Sequence, residues 1–131
     1  MAERIPDNVL DLFQKPVLAN VATIMPDGTP QVTPVWVDFD GSHILVNTVK
    51  GRRKVLNMQE RPQVGLDMVD TENQFHWLSV RGHVIEITEA GANDHIDKLA
   101  KKYIGQDQYP FHQPGEVRVI CKIQPERVVA A

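Results

Sequence analysis

The chain has 131 residues, of which 42% are hydrophobic and 24% charged, with a formal net charge of −3. That length supports a single core able to bury roughly two thirds of the unfolded chain's surface, and the composition excludes a disordered or low-complexity protein. The acidic balance disfavours general nucleic-acid binding, no apolar run approaches the ~20 residues of a membrane-spanning helix, and the opening MAERIPDN lacks the basic and apolar regions of a signal peptide, so a cytoplasmic protein of one domain, residues 1–131, is the expectation.

In chain order, PDNVLDLF reads as a short helix: Pro6 suits a first turn, and Val9, Leu10, Leu12 and Phe13 form an apolar face. From Pro16 the pattern becomes that of strands. VLANVATIM and TPQVTPVWVDF flank the turn Pro26-Asp27-Gly28. Pro30 and Pro34 have no N–H to give to a ladder, which places the second strand at an edge or on a bulge, where ligands approach backbone. Asp40-Gly41 turns into a third strand, HILVNTV. The segment Gly51 to Glu60, GRRKVLNMQE, predicts a short helix that stops near Arg61-Pro62, because the residue before a proline avoids the helical region.

PQVGLDMV and FHWLSVRGHVIEI predict two further strands around the Asp70–Asn73 turn, with Trp77, Ser79 and Arg81 on one face and Leu78 and Val80 on the other. A helix follows, with Ile96, Leu99, Ala100 and Tyr103 at helical spacing and Gly105 as its stop. The loop QDQYPFHQPG leads to a last strand, VRVICKIQP. Antiparallel hairpins first and isolated helices between later strands predict a mainly β fold of about six strands, a closed or half-open barrel with flanking helices. No GxGxxG or GxxxxGK[ST] follows a strand, which removes the Rossmann and P-loop readings.

The feature that stands out chemically is Lys50-Gly51-Arg52-Arg53-Lys54, a run of cations where a helix begins. A helix N-terminus carries partial positive charge and unpaired N–H groups, so cations there are unfavourable unless something anionic offsets them. A phosphate would do so; a solvated turn balanced by carboxylates such as Glu60 is the bland reading. Cys121 is the only cysteine, which excludes an internal disulfide or CxxC pair, and its apolar neighbours predict a buried thiol. His43, His76, His83, His95 and His112 show no metal-site spacing, and no serine sits in a GxSxG elbow. Asp67, Asp70 and Glu72 read as the solvated residues of a turn rather than a catalytic or metal cluster. Such scarcity of acid, base and nucleophile fits a protein whose cofactor carries the reaction. Trp36 and Trp77 are either core or interface aromatics, or surfaces on which a planar ring system stacks.

The run from PVLANVATIMPDGTPQVTPVWVDFDG through KGRRKVLNMQERPQVGLDMVD and WLSVRGHVIEI to LAKKYIGQDQYPFHQPGEVRVICKIQPERV resembles the pyridoxamine 5′-phosphate oxidase-like split β-barrel superfamily. Within it, the pattern is similar to the branch of F420-dependent flavin/deazaflavin oxidoreductases of type B. The resemblance implies a cofactor phosphate held by Arg52, Lys54 and Asn57, with Lys50 and Arg53 as additional cations. It implies a cofactor ring lined by Gln31, Val32, Thr33, Pro34, Val35 and Trp36, and a homodimer in which Trp77 and Ser79 come from the second subunit. The implied activity is hydride transfer from coenzyme F420 to a quinone-, biliverdin- or nitro-compound-like acceptor. F420 carries a phosphodiester and a glutamate tail, which suits clustered cations better than the single phosphate of FMN. The alternatives are an FMN-binding pyridoxamine 5′-phosphate oxidase-like flavoprotein and a non-catalytic flavin- or haem-binding module, with His76, His83 and His112 as the available haem ligands.

Overall fold

The computed structural model describes residues 2–131. A 3-10 turn at Asp7–Val9 runs into the short helix α1 (Asp11–Gln14). Strands β1 (Ala19–Ile24), β2 (Pro30–Val35), β3 (Val37–Phe39) and β4 (Ile44–Val49) follow, then helix α2 (Arg53–Glu60), strands β5 (Gln63–Val69) and β6 (Trp77–Thr88), helix α3 (Ala92–Ile104) and strand β7 (Arg118–Ala130). Every strand pairing is antiparallel, in one sheet of order β2-β1-β5-β6-β7-β4-β3. This is the curled, mainly β half-barrel with flanking helices that the sequence predicts.

There are seven strands rather than about six because the predicted second strand is divided at Trp36. Up to Val35 the chain pairs with β1; from Val37 it pairs with β4. Pro30 and Pro34 cannot donate to a further neighbour, and β2 is accordingly an edge strand. The other edge is β3, the next element in the chain. Since a single residue separates the first and last strands of the sheet, the sheet has to curl until its two edges come together at Trp36. Trp36 therefore sits at the seam of the half-barrel.

Alternation sets which side chains face inward. Val21, Val64, Leu66, Met68, Leu78 and Val80 are buried, and the N-terminal segment adds Val9, Leu12 and Phe13, with Val55 and Met58 from α2. Burying each such aliphatic side chain stabilises the fold by about 1.5–3 kcal/mol. The outward partners of these residues, including Asn20, Ala22, Val32, Asp67, Ser79, Arg81 and Val129, lie across from one another on the convex face. Strand β4 is buried along its whole length, because Leu45 packs with Ala92 of α3 and Ile120 of β7 while Ile44 and Val46 face the main core. Helix α3 closes at Gly105, whose φ of 69° suits its role as C-cap. Cys121 is buried in β7, and that burial pushes its thiol up to about 12.

Candidate functional site

The start of α2 is an uncapped helix terminus. Gly51 turns the chain with a φ of 92°, Arg52 in extended conformation is the N-cap and makes no side-chain capping hydrogen bond, and the first turn holds no acidic residue. The donors and partial positive charge of the terminus are thus not offset from within the helix. The cations of the basic run separate here. Lys50 pairs with Glu89 at 3.4 Å, and Arg53 is exposed on the surface. Arg52 and Lys54 both line a cavity of about 230 Å³. Burial, and then the charge of Arg52, lowers the Lys54 ammonium below the usual lysine range. The carboxylates that meet this run are Glu89 and Glu116 rather than Glu60, which pairs with Arg61.

Pro34, Val35 and Trp36 line the same cavity, so the strand expected beside a ring system and the cations expected beside a phosphate converge there. Trp36 is held on two sides. Tyr103 stacks on it with centroids 5.1 Å apart, and Tyr109 meets it edge-on at 5.7 Å. Gln31, Val32 and Thr33 lie further along β2 and are not among the lining residues. The Gln31 side chain accepts from Thr23 Oγ1, while Val32 stands exposed on the convex face opposite Ala22.

Asn57 is placed differently from the resemblance-based expectation. It is fully buried, its amide donates to Thr23 Oγ1 at 3.0 Å, and its Oδ1 accepts from Arg61 at 3.4 Å. One turn after Arg53 the helix has already rotated Asn57 toward β1, where it ties α2 to the sheet. Trp77 and Ser79 occupy the convex face of β6, opposite Val69 and Asp67, and take no part in lining the cavity within this chain.

Arg118 is the functional residue that sequence reasoning missed. It opens β7, lines the cavity, and its guanidinium carbon lies 4.6 Å from the centroid of the Tyr109 ring. Its Nη1 donates to Asn47 Oδ1 at 3.3 Å. The Asn47 amide in turn donates to the Ala92 carbonyl at 2.8 Å and meets His95 Nδ1 at 3.2 Å. With that nitrogen accepting, His95 carries its proton on Nε2 and donates to Asp38 Oδ2 at 3.0 Å. Burial opposes ionisation of Asp38, yet its hydrogen bonds from His95, the Phe39 N–H and Lys98 hold the carboxyl well below the usual range. The chain Asp38–His95–Asn47–Arg118 fixes one end of the guanidinium. The available signal was an arginine heading the otherwise apolar run VRVIC.

The histidines are engaged to different degrees. His76 places Nδ1 at 2.7 Å from the Ala131 carbonyl and Nε2 at 2.9 Å from Asp11, so both ring nitrogens are occupied. His83 Nδ1 lies 2.9 Å from Glu126, and His112 packs edge-on against Tyr109. The Asp67, Asp70 and Glu72 turn is only partly solvated. Asp70 is buried, accepts the Glu72 N–H and meets Lys15 at 3.2 Å, while Asp67 accepts from Asn20. Asp11, Asp70 and His76 bring possible metal-ligand atoms together, but Lys15 stands between the two carboxylates at 3.3 and 3.2 Å and supplies the cation itself.

A half-barrel whose edge strands meet beside an uncapped, arginine-flanked helix defines a split β-barrel. The chain belongs to the pyridoxamine 5′-phosphate oxidase family, whose model matches residues 5–130. Among solved structures, it is similar to an F420 reductase at 29% identity, covering 95% of this chain and 98% of that one, with a TM-score of 0.83. It shares the fold of a conserved hypothetical protein from Mycobacterium tuberculosis (23% identity, 97% and 84% covered, TM-score 0.73) and of the haem storage protein HutZ from Vibrio cholerae (16% identity, 98% and 95% covered, TM-score 0.68). No curated protein matches the chain. Among the described residues, no helix is long and apolar enough to cross a membrane.

Proposed function

We propose that the protein is a cytoplasmic oxidoreductase that binds coenzyme F420 and passes a hydride from it to an unsaturated small-molecule acceptor of quinone, biliverdin or nitro-compound type. The observation that carries this reading is the convergence of Arg52, Lys54 and the Pro34–Trp36 strand on one cavity at the barrel seam. The donor set suits a phosphate: two cations, an uncapped helix start, and two buried polar atoms without partners at Thr48 and Arg118. The similarity to an F420 reductase over nearly the whole of both chains supports the choice of coenzyme.

In this reading Arg52 and Lys54 grip the phosphate, and Asn57 contributes by anchoring α2 to Thr23 so that the two cations stay in register. Exposed Lys50 and Arg53 are the additional cations that would meet the anionic glutamate tail. Trp36, its far side already covered by Tyr103, is a rigid wall for the ring system. The bound coenzyme supplies the hydride. The residues of the chain supply position, and well-oriented reactants gain large effective molarities from that alone.

A homodimer completes the site. The convex face exposes Val32, Val69 and Val129 beside Trp77, and a groove of about 840 Å³ runs across it past Ala22, Ile24, Gly65, Arg81 and Arg127. A second copy seated on this face brings its own Trp77 and Ser79 to the cofactor of the first. FMN is the alternative coenzyme, since it also presents a phosphate to Arg52 and Lys54.

Side-by-side titration with F420 and FMN tests the proposal. Protein made in a host without F420 is expected to emerge colourless and bind added F420 more tightly than FMN. A yellow preparation that releases FMN reverses the order. Arg52→Glu with Lys54→Glu is expected to weaken coenzyme binding at least tenfold with an unchanged circular dichroism spectrum; undiminished binding removes the phosphate assignment.

A further inference from the structure

Two buried side-chain atoms among the described residues lack a hydrogen-bond partner, Thr48 Oγ1 and Arg118 Nε. Thr48 is 2% exposed and Arg118 6%, so bulk water does not satisfy them. Buried polar groups are nearly always paired, and an exception calls for a reason. Both exceptions here belong to residues lining one cavity, the one that Arg52 and Lys54 also line.

The arginine is prepared for a ligand on one edge. Its Nη1 is committed to Asn47, and its plane lies over Tyr109. The opposite edge, Nε with Nη2, is the fork that matches a carboxylate or phosphoryl group with two parallel hydrogen bonds. Nε has no partner, and Nη2 has only a loose one: Glu116 Oε2 at 3.8 Å. The other oxygen of the same carboxylate stands 3.7 Å from Arg52. Both distances exceed a hydrogen bond. Glu116 therefore lies between two guanidinium groups as a counter-ion without being bonded to either, at the end of the loop that carries Tyr109.

We infer that Arg118, Thr48 and Arg52 form an anion subsite that takes a carboxylate or phosphoryl group of a ligand, and that Glu116 is the internal competitor this group displaces. The walls from Trp36 and Tyr109 select a ligand whose anionic group is attached to a flat or aromatic body. The inference deepens the coenzyme reading, on which it rests for the ligand's identity but not for the existence of the subsite.

Isothermal titration of the full-length protein with inorganic phosphate and, separately, with benzoate tests it and distinguishes the two anion classes. Glu116→Gln is expected to bind one of these probes about tenfold more tightly than wild type, and Arg118→Met about tenfold more weakly, the size of a charge-assisted contact. Thr48→Val, nearly isosteric, is expected to lose several-fold. Arg118→Lys keeps the charge without the fork and is expected to fall with Arg118→Met. Should Arg118→Met fail to fold, Glu116→Gln and Thr48→Val decide the matter. Wild-type affinity in both of these variants overturns the subsite. F420 and FMN titrated in parallel separate the two claims. A coenzyme that binds wild type and Arg118→Met equally, while neither phosphate nor benzoate binding depends on Arg118 or Glu116, leaves the coenzyme reading standing and removes the subsite. Phosphate or benzoate binding that depends on Arg118 and Glu116, with neither coenzyme bound, does the reverse.

Discussion

Tyr103 lies flat on Trp36, the two ring planes only 2° from parallel, and its hydroxyl reaches the backbone on both sides of the barrel seam. The hydroxyl donates to the Val17 carbonyl at 2.6 Å, just before β1, and accepts the Val37 N–H at 3.1 Å, where β3 begins. Burial pushes the Tyr103 phenol up to about 12, so it remains a donor throughout the ordinary pH range. One side chain from α3 thus ties the segment entering β1 to the start of β3 and backs the aromatic wall of the cavity. Tyr103→Phe keeps the stack but strands the two backbone groups, and is expected to cost about 1–3 kcal/mol in urea unfolding. Tyr103→Ala removes the stack as well and is expected to shift Trp36 fluorescence, which Tyr103→Phe leaves unchanged. A Tyr103→Phe variant as stable as wild type contradicts this role.

Features that depend on local chemistry were legible from the sequence. Pro30 and Pro34 lack a donor wherever they are placed, so the edge strand followed directly. The facing of Trp77, Ser79 and Arg81 followed from strand alternation, and Gly105 marked its helix end. Features that depend on partners distant in the chain were not legible. The pattern PVWVDF is continuous, and its division at Trp36 arises because Val37 finds β4 as a partner. The basic run marked the uncapped helix start, but which of its cations line the cavity depends on Glu89 and Glu116, remote in sequence from it. Arg118 carried no local mark of its place in the cavity, since its surroundings are created by Asn47 and Thr48 of β4 and by Tyr109 of the loop before β7.

Asp38 gives the protein an acid sensitivity with a defined sign. Burial pushes this carboxyl up, but its hydrogen bonds from His95, the Phe39 N–H and Lys98 outweigh that and leave it depressed in the folded state. A depressed folded value means that the unfolded chain binds the proton more readily. The stabilisation is therefore complete at neutral pH, begins to fall as the pH drops toward the ordinary carboxyl value of 3.8, and disappears only below the lower folded value. Asp38→Asn is expected to be about 1–3 kcal/mol less stable than wild type at pH 7, with the gap narrowing steadily in urea midpoints taken from pH 5 to pH 2. A gap independent of pH contradicts the assignment.

Gly82 is expected to tolerate no side chain. It sits at a register shift between β6 and β7, and a Cβ built there collides with the Gln124 carbonyl, a backbone group that cannot swing aside. The irregularity lets the two longest strands bend around the core, and glycine in a strand often marks such a close approach of backbone. Gly82→Ala is expected to destabilise by about 1–3 kcal/mol through overpacking. Gly65, one strand over and on the opposite, convex face, meets nothing closer than ordinary contact, so Gly65→Ala in the same unfolding series is the control. Equal losses at the two positions contradict the steric argument.

The convex face supplies the sharpest test of the proposed homodimer. Val32 is 60% exposed and Val129 59%, on strands β2 and β7, while Val69 and Trp77 lie between them on β5 and β6. Apolar side chains spread across neighbouring strands of one sheet face are costly in water and are relieved by a partner of the same shape. A single positive charge at position 129, flanked on the same face by Arg81 and Arg127, is buried without a counter-ion in both copies at once, because a two-fold axis places every residue in the interface twice. Val129→Lys is therefore expected to convert a dimer into a monomer in sedimentation equilibrium, while the melting curve of the isolated chain changes little, since Val129 contributes nothing to the inner core. Lys50→Glu, just beyond the end of β4 and paired with Glu89, is expected to leave the dimer intact. Wild-type protein that sediments as a monomer at all concentrations, or a Val129→Lys variant that remains a dimer, removes the second copy from this face and with it the assignment of Trp77 and Ser79 to the neighbouring site.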